Sequence, residues 1–328
     1  QLFYENGNNY LIQTQAFDNA GSSESIGVGV SFLYDTSVPS SLVTLPTNNT
    51  KTYTLPIISG SAADYPTNNS GLNNVQVSIK RISTTEYWNG STWETGSELW
   101  NTSTGVATWT YGSPTWTDGA SYVIRAKATD NAANVETPLS GNTFAYDTSL
   151  PTSIIVSPAN NAKLKTLSVI TGTANSDTLN VQVSIKNTTN TTYWNGSIWT
   201  SITEGNSWIL GSGTTSWNYT SPAWTNENEY LIKSKATDTA SNPESVGAGN
   251  SWTYDNFAPS SLVSYPTNNA ILNAITTLSG TSTDNKVGVA NVKLIVQNIS
   301  DTTYWTGSSW TGAESWLTGS GTTSWNYT

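Results

Sequence analysis

The 328-residue chain has no cysteine, no histidine and no methionine, and only 10% of its residues are charged. Each absence removes a class of chemistry. Cys–His and Ser–His nucleophile pairs cannot be assembled, and neither can zinc sites built on histidine or cysteine. No disulfide can brace the fold, and there is no thiol or thioether to oxidise. Basic residues are scarce too: 12 lysines and arginines, spread along the chain with no run longer than Lys80-Arg81, stand against 22 acids, for a net charge of −10 and a pI near 4.3. That is the wrong sign and pattern for nucleic acid or an anionic membrane surface. No apolar run is long enough to span a bilayer, and no signal peptide stands at Gln1, so any export signal or anchor is expected outside this stretch. What is present is aromatic. Fifteen Trp and 16 Tyr in alternating patterns are too much ring surface for a chain that buries nothing, despite its wealth of Asn, Ser and Thr.

The sequence is also periodic, which sets the architecture. GSGTTSWNYT at 211–220 returns at 319–328, and TWTYGSPTW at 108–116 corresponds to SWNYTSPAW at 216–224. DTSVP at 35–39, DTSLP at 147–151 and DNFAP at 255–259 keep the same phase. Seven residues after each comes Pro-x-Asn-Asn, at Pro46, Pro158 and Pro266. A repeat of about 110 residues is domain-sized, so each unit should have its own core. The proline tracts read as short, stiff linkers. Cutting there gives whole domains at 39–150 and 151–258, the C-terminal part of a domain at 1–38 and the N-terminal part of another at 259–328. Together the two parts have the length of one repeat. Two explanations fit: the chain is an excerpt of a longer tandem array, or residues 1–38 of one subunit complete 259–328 of the next by strand addition.

Within a repeat the dominant period is two. Val75, Val77 and Ile79 share one face and Gln76, Ser78 and Lys80 the other; VQVSIK recurs at 181–186. Tyr122, Ile124, Ala126 and Ala128 likewise point inward, with Arg125 and Lys127 outward, and 230–237 and 10–17 repeat the pattern. Trp217 and Tyr219 share a face, opposite Ser216, Asn218 and Thr220. Strands separated by Gly, Pro, Asn and Asp turns number about seven or eight per repeat, and Tyr10, Tyr122 and Tyr230 occupy the place of a tyrosine corner.

The run YWNGSxW (87–93, 193–199), the ATDxA turn (128–132, 236–240) and the DTxxP linker together resemble the bacterial immunoglobulin-like domains of long extracellular surface proteins and adhesins. The resemblance covers the entire chain. It implies β-sandwiches, export to the cell surface and a role as spacer, adhesin stalk or fibre, and it carries over no catalytic residue.

Three sets of residues are candidates for contact or chemistry. Asn89-Gly90 reads as a two-residue hairpin turn, which sets Trp88 opposite Ser91 and Glu86 opposite Trp93, with the two tryptophans as diagonal neighbours. The pairs Trp88–Trp93, Trp194–Trp199 and Trp305–Trp310 would stack on sugar rings or cover the end of the core. Thr306 replaces the turn Asn and predicts a distorted turn there. Acceptor triplets for N-glycosylation stand at Asn48, Asn68, Asn89, Asn101, Asn187, Asn190, Asn195, Asn218, Asn298 and Asn326, although a chain rich in Asn, Ser and Thr also generates such triplets by chance. Asn89 and Asn195 fall at hairpin tips, Asn218 and Asn326 on an outward strand face, and Thr110 and Thr306 would mark bare positions. Finally, Asp18, Asp130 and Asp238, with Glu24, Glu136 and Glu244 six residues on, recur once per repeat. Paired carboxylates serve glycosidases, but acids this regular read as turn-formers, so no enzyme is expected. The linker acids Asp35, Asp147 and Asp255 are candidates for calcium between modules, against the lack of any dense carboxylate loop.

The expectation is an all-β chain of tandem immunoglobulin-like antiparallel β-sandwiches set end to end. It would be a non-catalytic structural unit of a prokaryotic extracellular filament, fibre or surface stalk. Its expected partners are copies of itself head to tail, together with surface glycans or neighbouring filaments. The alternative is a carbohydrate-binding adhesin that uses the tryptophan hairpins.

Overall fold

A computed structural model describes residues 3–65 and 69–328. It is all-β, with sheets that are antiparallel except for the parallel pairing of Thr50–Thr52 with Asn142–Tyr146 and of Ala162–Leu164 with Asn250–Tyr254, and the only helical segment among the described residues is a single 3-10 turn at Glu204–Asn206. No helix there is long and apolar enough to cross a membrane. The chain divides into two compact units, 1–150 with 238–242 and 151–237 with 243–328.

In the first unit, β1 (Asn8–Ile12) and β2 (Val30–Tyr34) pair only with each other. Ten further strands, several of only two or three residues, build a sandwich. One sheet has the order β10-β5-β3, with β3 at Ser40–Leu45, β5 at Ile57–Ala63 and β10 at Thr108–Gly112. The other contains β4 (Thr50–Thr52), β12 (Asn142–Tyr146), β11 (Ser121–Asp130), β6 (Leu72–Arg81), β7 (Glu86–Trp88) and β8 (Trp93–Thr95), in the order β4-β12-β11-β6-β7-β8; β9 (Asn101–Thr102) also lies against β6. The two ten-residue strands β6 and β11 form its centre, in the register Ile124↔Ile79, Ala126↔Val77 and Ala128↔Val75. Two-residue alternation on both strands turns these six side chains to one face, and all six are buried. The expected alternation is the observed one.

Trp109 on β10 closes the core from the facing sheet. Its indole is fully buried and lies directly on Gly60, where an added Cβ would meet the ring and the Leu42 carbonyl oxygen at 2.1 Å. Burying an indole of this size contributes on the order of 5 kcal/mol. The tyrosine corner is present as well: the Tyr122 hydroxyl accepts the Thr117 N–H at 2.9 Å, and Tyr230 accepts the Thr225 N–H at 2.8 Å.

The second unit repeats the plan. Ser153–Ser157, Val169–Ala174 and Ser216–Thr220 form one sheet, and Thr178–Asn187 and Asn228–Asp238 lie at the centre of the other. Trp217 packs on Gly172 as Trp109 does on Gly60. Residues 259–328 keep the first of these sheets, as Ser260–Tyr265, Leu278–Thr283 and Ser324–Tyr327. Their second sheet is reduced to the short pair Lys293–Leu294 with Leu317–Thr318 and the ribbon Gln297–Asn298, Thr303–Trp305 and Trp310–Thr311.

The contact between indole and glycine is testable. Gly172→Ala is expected to destabilise its sandwich by about 1–3 kcal/mol in urea unfolding followed by tryptophan fluorescence, because a methyl group there must displace Trp217 or the backbone. Gly205→Ala, which meets nothing within 4 Å, is expected to stay within about 0.5 kcal/mol of the parent.

Candidate functional site

The tryptophan hairpin differs from its expected form. The register is Glu86↔Thr95, Tyr87↔Glu94 and Trp88↔Trp93, so the loop is four residues long and the tryptophans are directly opposite, with ring centroids 5.5 Å apart. The cause is the Asn89 side chain. Its Oδ1 accepts the N–H groups of Ser91 and Thr92, both at 2.8 Å, while the Asn89 N–H donates to the Thr92 carbonyl at 3.0 Å. A side-chain oxygen thus replaces the backbone turn, and positive φ is needed only at Gly90 (102°). Nor is the third turn distorted. The Thr306 hydroxyl accepts the Ser309 N–H at 3.1 Å, and Trp305↔Trp310 keep the same register, because a hydroxyl can stand in for the amide oxygen.

These tryptophans face the core. Trp88 and Trp194 donate from Nε1 to the hydroxyls of Tyr111 and Tyr219, at 3.2 and 3.0 Å. Trp93 lies 5.5 Å from the Tyr122 ring, and the Arg81 guanidinium sits over it at 4.5 Å; Trp199 lies 5.5 Å from Tyr230. Their rings seal one end of each sandwich. Trp310, in the third copy, is 49% exposed. A different aromatic group escaped the strand-based reading. Lys127 stands 4.3 Å from the Trp100 ring beside an Arg125–Glu98 ion pair at 2.7 Å, and Lys235 with Trp208 and Lys233 with Glu204 repeat the arrangement. An acid shortly before a tryptophan in each repeat, Glu98–Trp100, Glu204–Trp208 and Glu314–Trp316, was its signal.

The acceptor asparagines fall into three environments. Asn48, Asn89, Asn190, Asn195, Asn218 and Asn326 are exposed, and Asn101 and Asn298 are half-buried. Asn187 is buried, its Oδ1 accepting the Thr189 and Asn190 N–H groups. Two of the amide nitrogens that would carry sugar are already engaged: Asn101 Nδ2 donates to the Trp88 carbonyl and Asn89 Nδ2 to Thr92 and Glu94. Asn68 lies outside the described residues.

The recurring acids hold backbone. Asp130 accepts the Asn134 N–H at 2.7 Å and its side-chain amide at 2.8 Å, and that amide also donates to the carbonyl of linker residue Asp35. Asp238 and Asn242 do the same for the carbonyl of Asp147. Glu136 accepts the Ser41 N–H, the Ser41 hydroxyl and the Ala128 N–H; Glu244 takes the equivalent three from Ser153 and Ala236. Each glutamate ties the strand after a linker to the long central strand. Asp18, with only its own turn to hold, accepts the N–H groups of Ala20 and Ser22, and bonds from Ser22 and Ala20 keep its carboxyl below the usual range.

One group of acids has a donor set suited to a cation. Oxygen atoms of Asp35, Asp64 and Asp130 all lie within 4.8 Å of one another, although Asp35 is 8% and Asp130 1% exposed. Among the described residues no lysine or arginine pairs with any of the three. Two carboxylates at that distance repel by roughly 3–4 kcal/mol at an effective dielectric of about 20. Burial pushes the Asp64 carboxyl up, and the charges of Asp35 and Asp130 add to it. Burial also acts to raise Asp35, but hydrogen bonds from Ser70 and Ser37 outweigh it and hold that group low. Asp64 Oδ1 is buried and accepts no hydrogen bond. Three hard oxygens in this arrangement suit a calcium-like ion, which would need further oxygen ligands to reach its usual six to eight. Of the linker acids read from sequence, Asp35 is in this group. Asp64 was missed, though its recurrence with Asp177 and Asp284 after the strands ISG, ITG and LSG was visible. Asp255 is 6% exposed and its Oδ2 also lacks a partner, while Asp147 lies 4.0 Å from Lys51.

Two facing sheets, the buried tryptophan and the tyrosine corner make each complete repeat an immunoglobulin-like β-sandwich. No protein-family model matches the chain, and no curated protein matches it. Solved structures similar to it include the fibronectin(III)-like modules of CbhA from Clostridium thermocellum, at 14% identity and a TM-score of 0.38, over 66% of this chain and 94% of that one. The chicken CNTN1 FN1–FN3 domains give 10% and 0.38, over 75% and 76%. Dpr2 Ig1–Ig2 in complex with DIP-Theta Ig1–Ig3 gives 10% and 0.29, over 80% of each chain.

The carboxyl group raised by folding sets the sign of a pH effect. A carboxyl whose folded value exceeds its ordinary 3.8 weakens the fold once the pH rises past that value and has no effect at lower pH, where both states are protonated. Asp64→Asn is therefore expected to raise the melting temperature of the first sandwich in chelator at pH 7 and to lose that advantage below about pH 4. Millimolar calcium is expected to reverse the order by stabilising only the parent. Equal melting of parent and variant under all three conditions would show that the three acids neither repel nor bind.

Proposed function

We propose that the chain is a structural, non-catalytic repeat unit of an extracellular filament, fibre or surface stalk, with its modules joined head to tail. One observation carries this reading: the repeated acids and amides hold the linkers. Asn134 and Asn242 clamp the carbonyls of Asp35 and Asp147, and Glu136 and Glu244 fasten the first strand after each linker. Carboxylates that accept two or three bonds from backbone and hydroxyl groups are committed to holding the chain rather than to a substrate. They do give each linker a fixed seat, so tension along the chain passes into the sandwiches through several bonds at once. The lack of thiols, the acidic charge and the many exposed acceptor asparagines suit an extracellular location and a glycan coat.

Immunogold labelling of intact source cells with antibody to residues 39–258 is expected to decorate surface filaments or stalks. Label confined to the cell interior would end this reading. Intact-glycopeptide mapping of the native material is expected to show sugar at Asn195, Asn218 and Asn326 and none at buried Asn187; occupied Asn187 with bare Asn218 would refute the surface-coat assignment.

A further inference from the structure

The second sandwich carries an open groove beside an acceptor asparagine. The groove has a volume of about 380 Å³ and runs between the tryptophan hairpin, at Trp194 and Gly196, and the strand Ser216–Thr220, with Leu210 and Ser221 at its sides. That volume falls in the range of small-molecule sites, about 300–1,000 Å³. None of its lining residues is charged. Apolar surface comes from Trp194, Tyr219 and Leu210, and Leu210 is 62% exposed. Trp194 Nε1 donates to the Tyr219 hydroxyl at 3.0 Å, which locks the two rings into one wall. Polar capacity is left over too, since Ser221 Oγ is buried and has no partner among the described residues. Rings and a leucine with a hydroxyl beside them suit a pyranose, whose faces are C–H groups and whose rim is hydroxyls.

The groove is open where the first sandwich is filled. There Asn101, paired with Val77, reaches into the same corner: its Nδ2 donates to the Trp88 carbonyl at 2.8 Å, and its Oδ1 lies 3.1 Å from where a Cβ on Gly90 would stand. The matching residue paired with Val183 is Ile209, which has no amide to make that bond, and a Cβ on Gly196 would meet nothing within 4 Å. The two complete sandwiches also differ at the acceptor. Where Asn101 fills the corner, the strand carries Thr110; where the corner is open, it carries Asn218-Tyr219-Thr220, an acceptor triplet. Asn218 lines the groove and is exposed, and its side-chain amide makes no hydrogen bond among the described residues. Its backbone is fixed by two bonds with Ser212, at 2.9 and 2.8 Å. The point of attachment is therefore rigid and its nitrogen is free.

We propose that this groove seats the first sugar ring of a neutral N-linked glycan on Asn218, and that the seated ring stabilises the second sandwich by covering Leu210 and bonding Ser221. This seat rests on the glycan coat proposed above and gives one of its acceptors a structural task. Attachment replaces one hydrogen of Asn218 Nδ2 with a bond to the anomeric carbon of a glycosyl diphosphate donor. The diphosphate leaves with the electron pair of the broken C–O bond, and the proton passes to solvent. Once attached, the ring stays beside Trp194 and Leu210 at high effective concentration, so weak contacts suffice to seat it. Contacts made only in the folded state raise its stability.

Four forms of the full chain, made in a host that N-glycosylates secreted proteins, test this: the parent, Thr220→Ala, Leu210→Ser and the double variant. Thr220→Ala abolishes the acceptor triplet and leaves Asn218 in place, and Leu210→Ser changes only an exposed side chain. Glycopeptide mapping is expected to show sugar at Asn218 of the parent and of Leu210→Ser. The second sandwich of the glycosylated parent is expected to melt roughly 4–8 °C above that of Thr220→Ala, with slower hydrogen exchange in 194–199 and 209–213. That gap is expected to vanish when both are made in a host that does not glycosylate, and to shrink in the Leu210→Ser background, because contacts that share a partner couple. Sugar at Asn218 with no gap, or with a gap that Leu210→Ser leaves unchanged, would overturn the seat and leave the coat standing. A bare Asn218, in this host or in the native material, would overturn the seat and count against the coat as well. Neither result bears on the linker bonds that carry the structural role, so the two failures are separable.

Discussion

The pairing of β6 with β11 is the contact on which the rest of each sandwich depends. It is the longest ladder in the first sandwich and sets Val75, Val77 and Ile79 beside Ala128, Ala126 and Ile124. Where it exists, the neighbouring elements follow. β12 pairs with β11, β4 pairs with β12, and the hairpin tryptophan packs on Tyr122. In residues 259–328 that ladder is not formed. There the counterpart of the ten-residue β6 shrinks to two strands of two residues each, the counterpart of β4 dissolves and Trp310 is half exposed. Short edge strands have too few bonds to persist without a partner, so one missing neighbour removes several elements at once.

The polar residues form a second layer of constraint. Aspartates and glutamates that a catalytic reading would pair are instead receivers for backbone N–H groups at turns and linkers. A buried carboxylate is tolerable when both of its oxygens accept hydrogen bonds, and Glu136, with three donors, is such a case. Asp64 is the exception in the first unit: it keeps a buried oxygen with no donor, beside two like charges. Most of the charge in the first unit is structural, while this cluster is left with unbalanced charge.

Much of this was legible beforehand, for physical reasons. Val75 and Tyr122 declare their faces because a strand has period two and one face must be dry. Tyr10, Tyr122 and Tyr230 announce a corner because the hydroxyl needs a local backbone donor. The hairpin misled because Asn-Gly is usually read through its backbone angles, and here the Asn89 side chain accepts the two amides that a tighter turn would have left to the backbone. Asp64 was hidden because nothing in one repeat marks the end of β5 as a neighbour of a linker 29 residues earlier and a turn 66 residues later.

The order of residues alone therefore determined the repeat length, the strand faces, the linkers and the exclusion of thiol and imidazole chemistry, since all of these depend on which residues exist and on local period. The tertiary structure decided which carboxylates converge, which asparagines are buried and which aromatic rings are covered. Those properties depend on distances between segments far apart in sequence, and such distances are set only when β6 and β11 meet and the two sheets close over Trp109.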